Sequence, residues 1–342
     1  MSAGILEAAR RARKRLDIRL AIDSDDQVLD LYRANFPLAT AVARDVSDVF
    51  NGKPGAGSMT KEEREVASLA GSVDLLVGGP PCQGHSDLNN HTRREDPKNR
   101  LYLTMARATE VLAPKLLVIE NVSGVRHDRS DVVGETVNVL KSRGYVVHTE
   151  TIDLQLLGIP QRRRRFMLLA SSVPSIDPRK VIEHLLRRSA VHRRRDVRWA
   201  IGDLPQAAAN GVFDTASTPG AVNRERMAIL FAKGIYNLPD EHRPRCHRSG
   251  DHSYVSVYGR LRWDEPAQTI TTGFGCMGQG RFVHPTEKRT ITPHEAARLQ
   301  TFPDWFTFGD ARRGVLAKAI GNAVPPLLMA KLCHRLLESL PA

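Results

Sequence analysis

An α/β architecture, with a doubly wound and mostly parallel sheet followed by a smaller, irregular second region, is what this sequence of 342 residues predicts. Three observations carry that expectation. Between residues 18 and 170, short β-favouring runs alternate with helical stretches of roughly 10 to 15 residues, the pattern of βαβ units. Acidic or reactive residues, namely Asp23, Asp45, Cys82 and Glu120, recur where those runs stop, so they should line one rim of one sheet. From about Ser171 the alternation gives way to prolines, basic clusters and irregular stretches.

Each element follows from local composition. Residues 5–16 (ILEAARRARKRL) are helical, with Arg and Lys gathered toward the end that the helix dipole favours. Residues 18–22 (IRLAI) read as a strand stopped by Asp23-Ser24-Asp25-Asp26, and residues 27–34 as a helix closed by Asn35-Phe36-Pro37. Residues 39–43 are weakly strand-like and end at Arg44-Asp45; a Gly/Ser/Lys-rich connector covers 51–61. The apolar run 73–77 then enters Gly78-Gly79-Pro80-Pro81-Cys82, a buried strand stopped by a rigid turn. Cys82 should sit just past the carboxyl end of that strand, where open α/β sheets place their ligands. Taken alone, it fits a buried thiol in a tight turn as well as a reactive one.

Residues 83–100 are polar throughout, a length of loop that is uncommon unless it is a functional lid or surface disorder. Residues 101–112 read as a helix, and 116–119 as a buried strand ending in Glu120-Asn121-Val122. A helix at 135–143 stops at Gly144, a strand covers 145–148, and a hairpin-like pair, 149–156 and 166–170, brackets GIPQRRRR. Regular structure resumes near Thr292 as a helix, an FPDWF turn, and a last helix after Gly321-Asn322-Ala323-Val324-Pro325-Pro326.

Hydrophobic content of 41% and charged content of 26% are those of an ordinary globular protein. No apolar run approaches the ~18 residues that span a bilayer, and the N-terminus has no signal-peptide core, so a cytoplasmic location is expected. The four cysteines, Cys82, Cys246, Cys276 and Cys333, form no C-x-x-C pair, which argues against a zinc site or a disulfide framework. Net charge is +12, and between residues 179 and 198 eight Lys or Arg stand against two acids. A balance of that kind fits a polyanionic partner, nucleic acid first, or more plainly a solvated helix face.

Five segments, in order, resemble the C5-cytosine DNA methyltransferase family: GGPPCQGHS (78–86), ENV (120–122), QRRRRF (161–166), RLQTFPDWF (298–306) and GNAVPP (321–326). The resemblance covers nearly the whole chain apart from about 80 residues after Ser172. It implies a Rossmann-like catalytic domain, residues 1–172 with 309–342, and a target-recognition domain with hinge, residues 173–308. It also implies S-adenosylmethionine as donor, double-stranded DNA as partner, and transfer of a methyl group to carbon 5 of cytosine. The enzyme should be monomeric, either standing alone or paired with a cognate restriction endonuclease.

The chemistry asks for the same residues. Carbon 5 of cytosine is a poor nucleophile until a thiolate adds to carbon 6, and Cys82 supplies the thiol. Nearby arginines would lower its pKa. Addition needs N3 held or protonated, which suits Glu120, a carboxyl whose pKa desolvation could raise. Charge building at the O2 edge calls for a fixed cation, and Arg163 and Arg165 match the family's arginines. Two positions apart on an extended segment, they should face one side. A stacked base must be flipped out, so residues 83–100 would be a lid, with Gln83 and Ser86 filling the vacated space or holding phosphate. Arg162 and Arg164 would meet DNA as well. By the same resemblance, Asp23, Ser24, Asp45, Pro80, Leu101, Asn322 and Val324 would line the donor's seat; Asp23 or Asp45 alone could as well be a helix cap.

Two departures from the family pattern shape the expectation. The family opens with a strand and a glycine-rich turn, whereas Met1-Ser2-Ala3-Gly4-Ile5-Leu6 resembles the residues after that turn. The first strand is therefore expected from an upstream start or a separate polypeptide; the alternative is an inactive, N-terminally truncated DNA-binding remnant. Lys98 stands where the family has arginine. A tRNA-directed relative is the remaining reading, but its Cys-Phe-Thr signature is not met at Cys246-His247-Arg248. The DNA target is not legible.

Overall fold

The computed structural model describes residues 1–80, 101–127, 130–189, 194–204, 211–248 and 257–340. In chain order the elements begin with α1 (Ser2–Arg11), β1 (Leu20–Asp23), α2 (Asp26–Asn35), β2 (Thr40–Ala43), α3 (Val46–Val49), α4 (Lys61–Ala70), β3 (Leu75–Gly78), α5 (Leu101–Leu112) and β4 (Leu116–Asn121). They continue with α6 (Val132–Ser142), β5 (Val146–Asp153), β6 (Gln161–Arg162), β7 (Arg164–Ser171), α7 (Pro178–Ser189), α8 (Val197–Ile201) and α9 (Ala221–Ala232). The last are β8 (Ala267–Gln268), α10 (Pro293–Leu299), α11 (Arg313–Gly321) and α12 (Pro326–Ser339). No single helix among the described residues is long and apolar enough to cross a membrane.

The chain divides into two compact units. The first holds Met1–Asp153, Arg164–Ala190 and Met329–Ala342, and the second Leu154–Arg163 and Val191–Leu328. These seams differ from the expected 1–172 with 309–342 against 173–308. Helix α7 falls in the first unit because it buries Val181, Ile182 and Leu185 and packs on β5 and β7. Its Arg179, Lys180 and Arg187 stay exposed, so this part of the basic run is a solvated helix face. Helix α11 falls in the second unit, where it packs on α10.

In the first unit, β1 and β2 pair in parallel, and a separate sheet has the order β3-β4-β7-β5. Within the latter, β3 and β4 are parallel, while β4–β7 and β5–β7 are antiparallel. The expected mostly parallel single sheet is thus two pieces, one of them mixed. The antiparallel return has a plain cause. Residues 154–163 link β5 to β7 without a crossover helix, and a short link permits only an antiparallel neighbour. The expected strand 145–148 and first hairpin arm 149–156 merge into the single strand β5.

The two sheet pieces share one helical layer. Leu20 and Ile22 of β1 and Leu76 of β3 all pack against the cluster of Val49, Phe50, Val66, Ala108 and Val111, supplied by α3, α4 and α5. Yet β1 is paired with β2 alone and β3 with β4 alone among the described strands. Every residue of β4 is buried, whereas every residue of β3 is only half-buried. Leu76 also packs on a second core cluster, which includes Leu117, Ile119, Phe166 and Leu168.

A buried ionic hub fixes the connector 51–61 to this layer. The Arg107 side chain in α5, 2% exposed, donates to both oxygens of Glu63 at 2.8 and 2.7 Å and to the carbonyls of Ala56 and Ser58 at 3.1 and 2.7 Å. Glu63 also accepts from the amides of Gly52 and Thr60, closing a capping box with Thr60 at the start of α4. Glu110 completes the hub, 3.2 Å from Arg107 and accepting from Gly55.

The second unit is built differently. A core of Met227, Leu230, Leu238, Val257, Tyr258, Met277 and Val283 joins α9 to irregular chain. Isolated bridges, Asn237 to Gly259 and Arg260 to Val283, take the place of regular strands. Among the described residues of this unit, only β6 and β8 form a ladder, a two-residue parallel pair.

Candidate active site

Glu120 owes its position to the apolar run before it. Leu116, Leu117, Val118 and Ile119 fill a strand flanked on both edges, which carries a carboxylate that is 7% exposed to the carboxyl end. The β4–β7 register sets Glu120 opposite Met167, so Arg165 is the diagonal neighbour on the same face. Glu120 Oε1 lies 2.7 Å from Arg165 Nε, and both side chains are nearly buried. The N–H direction is off line, so this contact is an ion pair rather than an aligned hydrogen bond. Arg165 Nη1 donates to the Arg164 carbonyl at 2.7 Å.

The next residue is also fixed. Asn121 donates from Nδ2 to the Pro80 carbonyl at 3.3 Å and accepts from the Val122 amide through Oδ1 at 2.8 Å. The end of β4 thereby holds the stretch that leads into Cys82. Cys82, Gln83, Ser86, Lys98 and the lid expectation for 83–100 lie outside the described residues. The three described cysteines, Cys246, Cys276 and Cys333, are free.

Asp23 and Asp45 stand at the ends of neighbouring parallel strands. Asp23 pairs with Ala43 in register, and Asp45 follows two residues later. Both carboxylates are exposed. Asp23 Oδ1 accepts from the Asp25 amide at 2.9 Å, while Asp45 caps α3, accepting from the Ser47 amide at 2.8 Å. Ser24 is exposed beside Asp23; Pro80 and Leu101 are half-buried.

The α-amino group of Met1 is buried in the same unit at the N-terminus of α1. Burial pushes it down from its ordinary 8.0 to about 6, against the opposing pull of Cys333 and Glu120. An ammonium at a helix N-terminus also faces the wrong end of the dipole.

In the second unit, three of the sequence segments converge in one buried polar network. Gln161, fully buried, donates to the Leu299 carbonyl at 3.0 Å and to Gln300 Oε1 at 2.8 Å, and accepts from the Ile270 amide at 3.2 Å. Gln300, also fully buried, donates to the Ile320 carbonyl at 2.7 Å. Arg163, 3% exposed, donates to the carbonyls of Ile270 at 3.1 Å and Ala323 at 3.2 Å. Gly321 has to be glycine, since a Cβ there would collide with the backbone of Thr271 and Thr272. Asn322 is the exposed C-cap of α11, and Val324 is buried.

The structure therefore joins Glu120 to Arg165 and Asn121 to Pro80 in the first unit, and Arg163 to the Asn322–Val324 turn in the second. Arg163 and Arg165 find their partners in different units, a carbonyl pair for one and a carboxylate for the other. Arg162 is exposed and pairs with Glu265 at 2.6 Å, and Arg164 is exposed on β7 opposite Asp153. Gln161 and Gln300 lie inside the segments QRRRRF and RLQTFPDWF, where residue type alone gives no sign of this network.

A family model described as C-5 cytosine-specific DNA methylase matches residues 2–338. The chain is 43% identical over 328 residues to the type II methyltransferase M1.BsuMI of Bacillus subtilis, spanning 96% of this chain and 75% of that protein. It is 34% identical over 281 residues to the type II methylase M.HgiDII of Herpetosiphon aurantiacus, spanning 78% and 77%. Among solved structures, a DNA modification methyltransferase encoded within an E. coli prophage superposes with a TM-score of 0.66 at 22% identity, over 97% of this chain and 95% of that one. The S. pombe Dnmt2 methyltransferase superposes with a TM-score of 0.63 at 16% identity, over 98% and 94%.

Proposed function

Since the chain belongs to the C-5 cytosine-specific DNA methylase family, whose members draw their methyl group from S-adenosylmethionine, we propose that it methylates carbon 5 of a cytosine flipped out of a specific duplex sequence, through a covalent Cys82–C6 adduct. The observation that carries this reading is the buried Glu120–Arg165 pair at the end of β4, one residue before the Asn121 that ties down the approach to Cys82.

The residues present fit the adenosine half of the donor. Exposed carboxylates at the ends of β1 and β2 accept hydrogen bonds from hydroxyl and amino groups, and Asp23 spends only Oδ1 on its own turn. Asp23 and Ser24 would take the ribose side, Asp45 the adenine amino group, and Pro80 and Leu101 the flank. Asn322 and Val324 would complete the seat. The bound donor supplies an electrophilic methyl group.

The chain's own residues do the rest. Cys82 thiolate adds to carbon 6 while Glu120 holds a proton at N3, which places electron density on carbon 5. Carbon 5 takes the methyl group, its proton then leaves, and the C6–S bond breaks to return Cys82. Arg165 keeps the Glu120 carboxyl oriented toward the base. Gln83, Ser86, Arg162 and Arg164 would hold the DNA. Arg163 and Arg165 would supply the fixed cations for charge building at the O2 edge, and Arg163 also fixes the carbonyls of Ile270 and Ala323. The enzyme would work in the cytoplasm, beside the nucleoid and with or without a cognate endonuclease.

In this reading a further parallel strand would lie between β1 and β3. Support comes from the common layer beneath β1 and β3 and from the buried Met1 amine, a position suited to a peptide amide. In a chain that begins at Met1, the unfolded state binds a proton below pH 8.0 and the folded state only below about 6. Stability should therefore rise between pH 6 and pH 8, by about 2 kcal/mol. An N-terminal extension that converts the amine to an amide should abolish the rise. Denaturation midpoints of both forms at the two pH values measure it, and parallel behaviour would place the amine in solvent.

The function itself is tested by incubating the chain, alone and N-terminally extended, with labelled S-adenosylmethionine and duplex DNA. Methyl incorporation that disappears in Cys82→Ala is the expected result. Incorporation surviving that substitution would misassign the nucleophile. DNA binding without incorporation in either form would make the chain a binding remnant.

A further inference from the structure

Four arginines of the second unit gather on three consecutive residues, Tyr236, Asn237 and Leu238, and a fifth joins them through a carboxylate. The guanidinium carbons of Arg260 and Arg262 lie over the Tyr236 ring, 4.4 and 4.1 Å from its centroid, and Arg260 also faces Phe231 at 4.6 Å. Arg281 donates to the Asn237 side chain, and Arg243 to the Leu238 carbonyl at 2.7 Å. Arg162 joins through Glu265, which it meets at 2.6 Å while Arg262 meets the same carboxylate at 3.5 Å. Glycine at 259 makes the crowding possible, since a Cβ there would lie 2.8 Å from Arg281 Cγ.

The charges in this array do not balance. Among the described residues, the carboxylates in ion-pair contact with the five arginines are Glu265 and Asp240, so five cations meet two anions. Arg260 is 8% exposed, and its Nε has no hydrogen-bond partner among the described residues. Burial lowers the Arg281 pKa, and Arg262, Arg162 and Arg243 push the same way against Glu265. Like charges held this close, with aromatic rings as the main support for two of them, call for an anion from outside. Arg162 and Arg262, with side chains 46% and 41% exposed, face solvent. Each keeps donors beyond those spent on Glu265.

We propose that Arg162 and Arg262, backed by Arg260 and Arg281 and aligned on Tyr236 and Glu265, form a seat for the phosphate backbone of duplex DNA. This rests on the DNA-directed reading above and assigns it residues in the second unit. A phosphate seat follows better than a base-reading one. Four of the five guanidiniums are pinned as fixed charges by rings, an amide or a carbonyl, and charge excess attracts any phosphate irrespective of sequence. Glu265 has two effects, since it sets the spacing of the two exposed arginines and partly neutralises them.

The test is the salt dependence of binding by the full chain to a duplex of mixed sequence, about 30 base pairs long, followed by fluorescence anisotropy. Arg262→Gln and Arg162→Gln should each make the slope of log Kd against log salt shallower by about 0.9, which is about a threefold smaller loss of affinity between 50 and 200 mM salt. Glu265→Gln should do the opposite, with severalfold tighter binding and a steeper slope. A role confined to packing would move the unfolding midpoint and leave all three slopes unchanged, and that result would overturn the proposal. So would an unchanged slope with altered sequence preference in a selected random pool, which would make these arginines base readers. Failure of the unsubstituted chain to bind any duplex would instead overturn the DNA reading itself.

Discussion

Replacing Glu120 with glutamine is expected to slow methyl transfer by about 10² to 10⁴-fold, the range in which a positioned acid or base contributes. Glutamine keeps the volume of the side chain and leaves an oxygen for Arg165 Nε, now 2.7 Å from Oε1, so the strand end should survive. What is lost is the ability to hold and release a proton at N3. Single-turnover incorporation of labelled methyl groups, measured on whichever form of the chain is active, reads the loss directly. DNA affinity and the unfolding midpoint should stay within a small margin of the parent. A rate within tenfold of the parent would remove Glu120 from the chemistry and leave it a partner of Arg165 alone.

The largest effect on stability is expected at Arg107. Substituting leucine removes the cation shared by Glu63 and Glu110, whose side chains are 0% and 3% exposed, and leaves Glu63 buried with backbone amides alone, while Glu110 keeps the exposed Arg143 at 2.7 Å. Breaking a buried pair by removing one partner costs about 3 to 5 kcal/mol. Here the connector 51–61 loses its anchor as well, because Arg107 binds the Ala56 and Ser58 carbonyls. Arg107→Lys should recover only part of the loss, since an ammonium cannot reproduce the fork that takes both Glu63 oxygens.

The same hub predicts an acid limit. Burial alone would raise the Glu63 pKa, but the Arg107 guanidinium and the amides of Thr60 and Gly52 outweigh it and hold the carboxyl at about 2 against an ordinary 4.5. A lowered folded-state value means that the contribution is complete above pH 4.5 and fades as the pH falls toward 2. Urea denaturation at pH 7, 4 and 3 should show that fade in the parent and a flatter profile in Arg107→Leu. Equal slopes in the two proteins would put the acid limit elsewhere.

These outcomes also mark how far the sequence could be read. The βα alternation located β1, α2, β2, β3, α5, β4 and α6 to within a few residues, because apolar runs and their stops act locally. Helix α4 was missed, although Thr60-Lys61-Glu62-Glu63 is a capping box in plain view; the glycines and serines before it masked the signal. The antiparallel pairing of β5 with β7 was legible as a hairpin-like pair, but the insertion of β7 between β4 and β5 was out of reach, since it depends on which edge the returning strand takes. The segment motifs gave residue types for a site, and the structure gave them partners. It gave Arg163 carbonyl partners and Arg165 a carboxylate, a difference that their two-residue spacing does not reveal. Gln161 and Gln300 escaped because a buried glutamine is recognisable only once the carbonyls it satisfies are known. The arginines around Tyr236 are dispersed over 120 positions, from 162 to 281, so no local count of charge could have grouped them.

The strands β1 and β3, each paired on one side among the described residues, carry one more consequence. A strand edge with free amides and carbonyls is a template, and parallel sheets normally keep such edges covered. Here two of them border the same apolar layer, with Leu20, Ile22 and Leu76 beside them. A strand that paired there would do more than border a cofactor seat: it would also cover two edges through which copies of the chain could otherwise associate.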